Sequence, residues 1–359
     1  MFTFRASLAD RDATRNLDAI LSRNFNPAGF KPDLRRLQRL SATASSFYPP
    51  PWPAPGLAVT PEINCQSELW LPLAEIRPVF ERFFRQSLNY PPILTSTPFA
   101  AAASWAAIVA LLPFGPDCSM PDRLLARLLT DVRFRLQFLC WAFMPRRFYG
   151  AGSRYPEQIA WLAAWLEKRR KGQAKLRCLD AACGVGFAAY DLARLLVEQG
   201  RQWEDFIVEG WTLDPLEAWS AAHALLPHDT RMTGLFRRQL SSLAGGLTSL
   251  TFRAVDLLAA AAEPVEKFDL ILCNGLLGGP IVNSQADLEL AASRLASLLA
   301  PGGVLLVADH FHGGWKKKCP PENQRALLQS FGFNVTIQGA EQEVLIVAER
   351  KPGYTTSGI

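Results

Sequence analysis

The stretch LRCLDAACGVGFAAYDLA spans Leu176 to Ala193. An apolar run ends on an acid, Asp180; a small-residue turn with Gly184 and Gly186 follows, and then a helix-like stretch. A strand, a glycine turn and a helix in that order make the unit that binds nucleotide-containing ligands at its turn. Further along, short apolar runs keep alternating with helical stretches: FIVEGWTLD (206–214), LTFRAVD (250–256), FDLILCN (268–274) and GVLLVAD (303–309). QADLELAASRLASLLAPGG, stopped by Pro301, Gly302 and Gly303, is one of the helical stretches between them. This alternation predicts an α/β domain with a parallel sheet covered by helices on both faces. FNVTIQ (333–338) and EVLIVAER (343–350) break the rhythm, because four residues separate them. So short a link cannot make a parallel crossover, so this pair must be antiparallel.

Before Lys171 the pattern is different. Residues 1–41 read as helical, with Leu34, Leu37 and Leu40 recurring in FKPDLRRLQRL. SSFYPPPWPAPG (45–56) reads as an extended linker or strap, since its prolines fix φ and remove amide donors. The region 67–170 reads as helical and ends in QIAWLAAWLEKRRK, basic at its C-terminal end. The expected organisation is a basic helical segment and linker (1–62), an α-helical N-terminal domain (63–172), the α/β domain (173–351) and a short tail (352–359). With 359 residues the chain has room for about two domains. FAAAASWAAIVALLPF (99–114) falls short of the ~20 residues that span a bilayer and reads as a buried helix, so no membrane span is expected.

Seven cysteines are scattered without a CxxC pair, which fits reduced thiols in a cytoplasmic protein and neither a disulfide framework nor a zinc site. The N-terminus is too polar for a secretory signal. Eight basic residues against four aspartates in residues 1–41 account for most of the net charge of +5. That segment reads as a solvated helical face or as a contact for an acidic partner. Nothing resembles a nucleic-acid-binding motif.

In an open α/β sheet, ligands bind beyond the carboxyl ends of the strands. Four strand ends here carry an acid or an amide: Asp180, Asp214, Asp256 and Asn274. Such residues also stop strands and cap helices, but four in succession beside a glycine turn point to a ligand. Gly184 to Ala189 also fits GxGxxA, the dinucleotide pattern. Against NAD stands Asp180, four residues before Gly184, because a pyrophosphate wants amides there and not a carboxylate. A ligand bearing an ammonium and a sulfonium does want one.

LDAACGVG resembles the first motif of class I S-adenosylmethionine (SAM)-dependent methyltransferases, with Ala182 in place of one glycine. KFDLILCN, LLAPGGVLLVAD and FGFNV…EVLIVAER match that family's later motifs in order and spacing, over residues 173–351. The resemblance implies a Rossmann-like sheet of seven strands, the last antiparallel, with SAM as cofactor. It implies that Asp180 meets the methionine ammonium, and that Gly184 and Gly186, with Ala181, Ala182 and Cys183, let the backbone approach the cofactor. It places Asp214, flanked by Leu213 and Pro215, on the ribose hydroxyls. Asp256, with Val255 and Leu257, is placed at the adenine, and Asn274 with Gly275 facing the methyl. Cys183 itself reads as a small apolar filler.

Within that superfamily the chain looks most like the chemotaxis-receptor (CheR-type) methyltransferases. AACGVGFAAYDLA (181–193) aligns without a gap with their first motif, FKPDLRRLQRL looks like their early arginine-rich helix, and RRFYGAGSRYPEQIAWL (146–162) looks like the segment leading into their catalytic domain. There are departures. Phe187 and Ala188 replace an acidic pair, Asn274 and Gly275 replace Arg-Asn, and Gly150 replaces an arginine that Arg154 would have to stand in for. Candidate catalytic residues are Asn274, His310 and Tyr149; candidate substrate contacts are Arg154 and Tyr155. His310 and His312 form HxH without an evident third ligand, so no metal is expected. The expected activity is methyl transfer to a protein carboxylate. Transfer to a small molecule or natural product is the alternative, and a degenerate SAM-binding or scaffold protein is the alternative outside catalysis.

Overall fold

The computed structural model describes residues 2–47, 52–144, 154–169, 175–243, 245–259, 266–308, 319–339 and 344–351. The chain forms two compact units. One comprises Met1–Ala13, Gly150–Leu225 and Gly234–Ile359, the other Thr14–Tyr149 and Leu226–Thr233.

The second unit is helical. Along the chain come α1 (Asp10–Ile20, begun in the first unit), α2 (Lys31–Phe47), α3 (Pro61–Trp70), α4 (Leu73–Ser87), α5 (Pro98–Ala101), α6 (Trp105–Leu111), α7 (Pro121–Thr130) and α8 (Val132–Phe143). Its core is aromatic: Phe80, Phe83, Phe84, Phe99, Trp105 and Phe138 are all buried, and the Phe84 and Phe138 rings stack at 5.8 Å. The leucine stripe expected in α2 buries Leu37 alone; the buried row is Leu37, Ser41 and Ala44. A spacing of three residues drifts by about 60° per step around a helix, whereas alternating fours and threes stay on one face. The segment 99–114 is two short helices and not one. Ser104 caps the second by accepting the Ala107 amide at 3.2 Å.

The first unit holds an eight-stranded sheet. Its strands are β1 (Thr3–Arg5), β2 (Leu176–Asp180), β3 (Phe206–Thr212), β4 (Leu250–Ala254), β5 (Phe268–Asn274), β6 (Leu299–Ala308), β7 (Phe333–Gln338) and β8 (Leu345–Arg350). Their order is β1-β4-β3-β2-β5-β6-β8-β7. β4, β3, β2, β5 and β6 are parallel. β8 runs antiparallel between β6 and β7. Apart from β1 this is the expected Rossmann-like sheet of seven strands, with the reversed last strand inserted one place from the edge. The helices of this unit are α9 (Pro156–Lys168), α10 (Phe187–Glu198), α11 (Pro215–His223), α12 (Thr230–Leu240, begun in the other unit), α13 (Gln285–Leu298) and α14 (Pro321–Ser330). The α/β unit thus takes in α9, before residue 173, as well as the chain's first residues.

β1 is the element that the helical reading of residues 1–41 missed. Its three residues carry no periodicity of their own, and it exists because β4 offers a free edge. The Ala6 amide donates to the Leu250 carbonyl at 3.0 Å, and the Ala254 amide to the Phe2 carbonyl at 2.9 Å. The strap continues beyond the strand: the Ser7 carbonyl meets His223 Nδ1 at 2.8 Å, and Trp219 Nε1 donates to the Ala13 carbonyl at 2.8 Å. Phe4 is the buried residue of β1. Phe4→Ala should therefore destabilise the α/β unit by about 3 kcal/mol, read from denaturant unfolding, while the surface change Thr3→Ala costs under about 0.5 kcal/mol.

Candidate functional site

β2 is the central strand, hydrogen-bonded to β3 on one side and β5 on the other, and the strand order reverses there. A crevice opens at the carboxyl ends of the strands at such a switch point. Register sets the groups around it. Asp180 lies level with Gly210 of β3 and Leu272 of β5, so Thr212 and Asn274 end the neighbouring strands two residues further on. The turn after β2 is stitched to both sides. The Ala181 amide donates to the Leu272 carbonyl and the Cys183 amide to the Trp211 carbonyl, each at 2.8 Å.

Asp180 is completely buried, and neither carboxylate oxygen has a hydrogen-bond partner among the described residues. Burial pushes its carboxyl up to about 7; the backbone amides of Ala182 and of Ala189, in the first turn of α10, pull the other way. A buried carboxylate with no well-formed hydrogen bond and only those two amides near it is costly, and a cationic group placed against it would remove the cost.

The two glycines of the turn serve different ends. Both have positive φ, +51° at Gly184 and +94° at Gly186. A Cβ on Gly184 would meet nothing within 4 Å, so the backbone there borders open space, as a ligand-facing turn requires. A Cβ on Gly186 would lie 2.9 Å from Ala221 Cβ and 3.0 Å from the Phe252 ring. Packing alone therefore requires glycine at 186. It lets α10 settle against α11 and β4, where the Tyr190 hydroxyl donates to the Ala221 carbonyl at 2.8 Å. Gly210 belongs to the same contact: a Cβ there would meet the Phe252 ring at 2.6 Å and Cys183 Sγ at 3.0 Å. Cys183 packs as the small apolar filler, and burial together with Asp180 and Glu217 pushes its thiol well up, away from reactivity.

At the end of β3, Asp214 follows Leu213 and precedes Pro215, the first residue of α11. Its Oδ1 accepts the Leu216 amide at 2.7 Å, an N-cap. The residue that sequence reasoning missed is Glu217, on the first turn of α11, whose carboxylate accepts the Thr212 hydroxyl. Burial and the neighbouring Asp214 push its carboxyl up to about 7. The spacing Asp214…Glu217, a capping-box pattern, was the available signal. At the end of β4 the Val255 amide donates to the Thr212 carbonyl at 2.8 Å, and exposed Asp256 accepts the Leu258 amide at 2.9 Å. Leu257 and Val255 pack against the core cluster that includes Trp211.

At the end of β5, Asn274 pairs with Gln158 of α9 through two amide hydrogen bonds, both 2.9 Å. Gln158 is buried and Asn274 partly exposed. The Gly275 amide donates to the Ala308 carbonyl at 2.8 Å. Just before α9, Tyr155 is buried and Arg154 half-buried, with its guanidinium lowered from its ordinary value by burial. Tyr149 and His310 lie outside the described residues, as do His312 and the lysine run 316–318. No described helix is long and apolar enough to cross a membrane. The described residues hold no group of three or more His, Cys, Asp or Glu able to take a metal ion.

No protein-family model matches the sequence, and no curated protein is similar to it. Solved structures do match. A TehB-like SAM-dependent methyltransferase from Corynebacterium glutamicum is 16% identical, over 56% of this chain and 90% of that one, with a TM-score of 0.36. The N-methyltransferase NodS from Bradyrhizobium japonicum, in complex with S-adenosyl-L-homocysteine, is 16% identical over 62% and 99%, also at 0.36. CalS10 from Micromonospora echinaspora, an amino pentose methyltransferase with SAM bound, is 17% identical over 56% and 93%, at 0.35. At such identities and scores these likenesses say nothing about activity.

Gly186→Val should cost at least about 3 kcal/mol of stability, because its side chain meets packed atoms at a left-handed φ. Gly184→Ala should cost only about 1 kcal/mol, the strain of φ alone. Denaturant unfolding of the two variants separates them. Asp180 also makes stability depend on pH. Its carboxyl rises from an ordinary 3.8 to about 7 in the folded chain. Below pH ~4 it is protonated in both states and adds no pH dependence. Between pH ~4 and ~7 the unfolded chain ionises first, so stability falls as pH rises, by up to about 4 kcal/mol in all. Asp180→Asn should therefore gain on wild type from pH 5 to pH 8 in thermal melts without added ligand.

Proposed function

We propose that the chain is a SAM-dependent methyltransferase. The observation that carries this reading is Asp180: a fully buried carboxylate with no cationic partner among the described residues, at the end of the central strand, beside a turn whose Gly184 borders open space. A scaffold has no reason to keep that group, since asparagine or an apolar residue there would remove the cost of burying a charge. A ligand that is cationic where it meets Asp180, and nucleoside-like where it meets β3 and β4, repays it. SAM is such a ligand, and when bound it supplies a methyl group activated by the sulfonium.

The work left to the protein is binding and alignment. Asp180 takes the ammonium, the turn 181–184 gives the backbone room, the end of β3 receives hydroxyls, and Asp256 with the Leu257 amide borders the base. At the methyl end stand Asn274 and Gln158. Their neutral amides can hold an acceptor but cannot take a proton from it at neutral pH. An acceptor that is already ionised needs no base, which favours a carboxylate, and on a protein this agrees with the sequence's resemblance to CheR-type enzymes. Arg154, just before α9, is the basic residue that would bring such a group in.

Calorimetry should show S-adenosylhomocysteine binding to the full chain and no binding of NADH; the opposite result overturns the cofactor. Incubation with radiolabelled-methyl SAM and host extract, fractionated into protein, RNA and small molecules, then reports the acceptor. Protein label that mild base releases as methanol is the expected result. Base-stable label confined to small molecules or RNA overturns the carboxylate reading.

A further inference from the structure

The resemblance puts Asp214 on the ribose hydroxyls, but the geometry gives that residue another task. Asp214 is buried, and its Oδ1 accepts the Leu216 amide as the N-cap of α11. The acid at this strand end that bonds no backbone amide is Glu217. It stands at the third position of the helix, where a glutamate ordinarily reaches back to the amide of the cap residue. Here it reaches instead to the Thr212 hydroxyl on the last residue of β3. Thr212 is two residues past Gly210, the partner of Asp180. The Glu217 carboxylate is therefore drawn toward the carboxyl end of β3, the strand beside Asp180. Cys183, in the turn between the two acids, feels the charge of both.

A hydroxyl anchor fixes one edge of the carboxylate and leaves acceptor capacity for other donors. Two adjacent hydroxyls of a ribose are donors at matching spacing, and a strand-end acid is the usual acceptor for them. Resting on the SAM reading, we propose that Glu217, oriented by Thr212, is the residue that receives the ribose hydroxyls, while Asp214 serves the helix cap. Glu217 is then a binding residue and Thr212 a positioning residue.

Calorimetry on the full chain, with S-adenosylhomocysteine and its 2′,3′-dideoxy analogue, tests this. Wild type should prefer the hydroxylated ligand by about 10- to 100-fold. Glu217→Gln should bring that preference to within a few-fold, and Glu217→Asp, which keeps the charge but shortens the reach, should weaken it. Thr212→Val should lower the preference by about 3- to 10-fold. Asp214→Asn, which preserves a capping side chain, should keep the preference, and thermal melts report whether each variant is folded. Loss of the preference in Asp214→Asn together with its survival in Glu217→Gln overturns the assignment while leaving the cofactor in place. A wild-type protein that binds neither compound overturns the assignment and the methyltransferase reading together.

Discussion

The site depends on a buried carboxylate. Asp180 ends the central strand of the sheet, is fully buried, and has no hydrogen-bond partner among the described residues. Five parallel strands with helices on both faces bury the acid fully, so its ionisation is displaced to about 7. Such a group raises the free energy of the fold until something cationic meets it. The neighbouring turn must stay open on that side, and Gly184 keeps it so; the turn must also stay in place, and two backbone hydrogen bonds to the flanking strands hold it.

Around that acid the sheet separates packing from binding. Phe252 of β4 lies against Gly210 and Gly186, with Cys183 beside it, and Tyr190 ties α10 to α11. These residues set the distance between the first helix and the next strand, and a side chain at either glycine would force them apart. The polar groups stand at the strand ends instead: Asp180, the Thr212–Glu217 pair, Asp256, and Asn274 with Gln158. One end of this row is acidic, suited to cationic and hydroxyl donors, and the other is a neutral amide pair. That polarity follows the order of the strands, because β3 and β5 lie on opposite sides of β2.

Much of this was legible in the sequence. The alternation of strands and helices predicts the parallel core, and the short link after residue 338 predicts the antiparallel pair. These are local signals, carried by period and by turn chemistry. What the sequence left out is non-local. β1 has three residues and no pattern, and it is a strand only because β4 has a free edge. Gln158 reads as one polar residue on an apolar helix until the fold brings it to Asn274, 116 positions away.

The chain's own pattern thus determined the strands from β2 to β8 to within a few residues, and that a small-residue turn follows the first acid, because strand period and turn propensity act over a few residues. Tertiary structure decided what each marked residue does. Gly184 and Gly186 look alike in sequence, yet one borders open space and the other a packed helix. Asp214 and Glu217 are both acids at one strand end, yet one bonds an amide and the other a hydroxyl. Those differences arise from which atoms lie across the gap, and contacts of that kind form only when distant segments pack together.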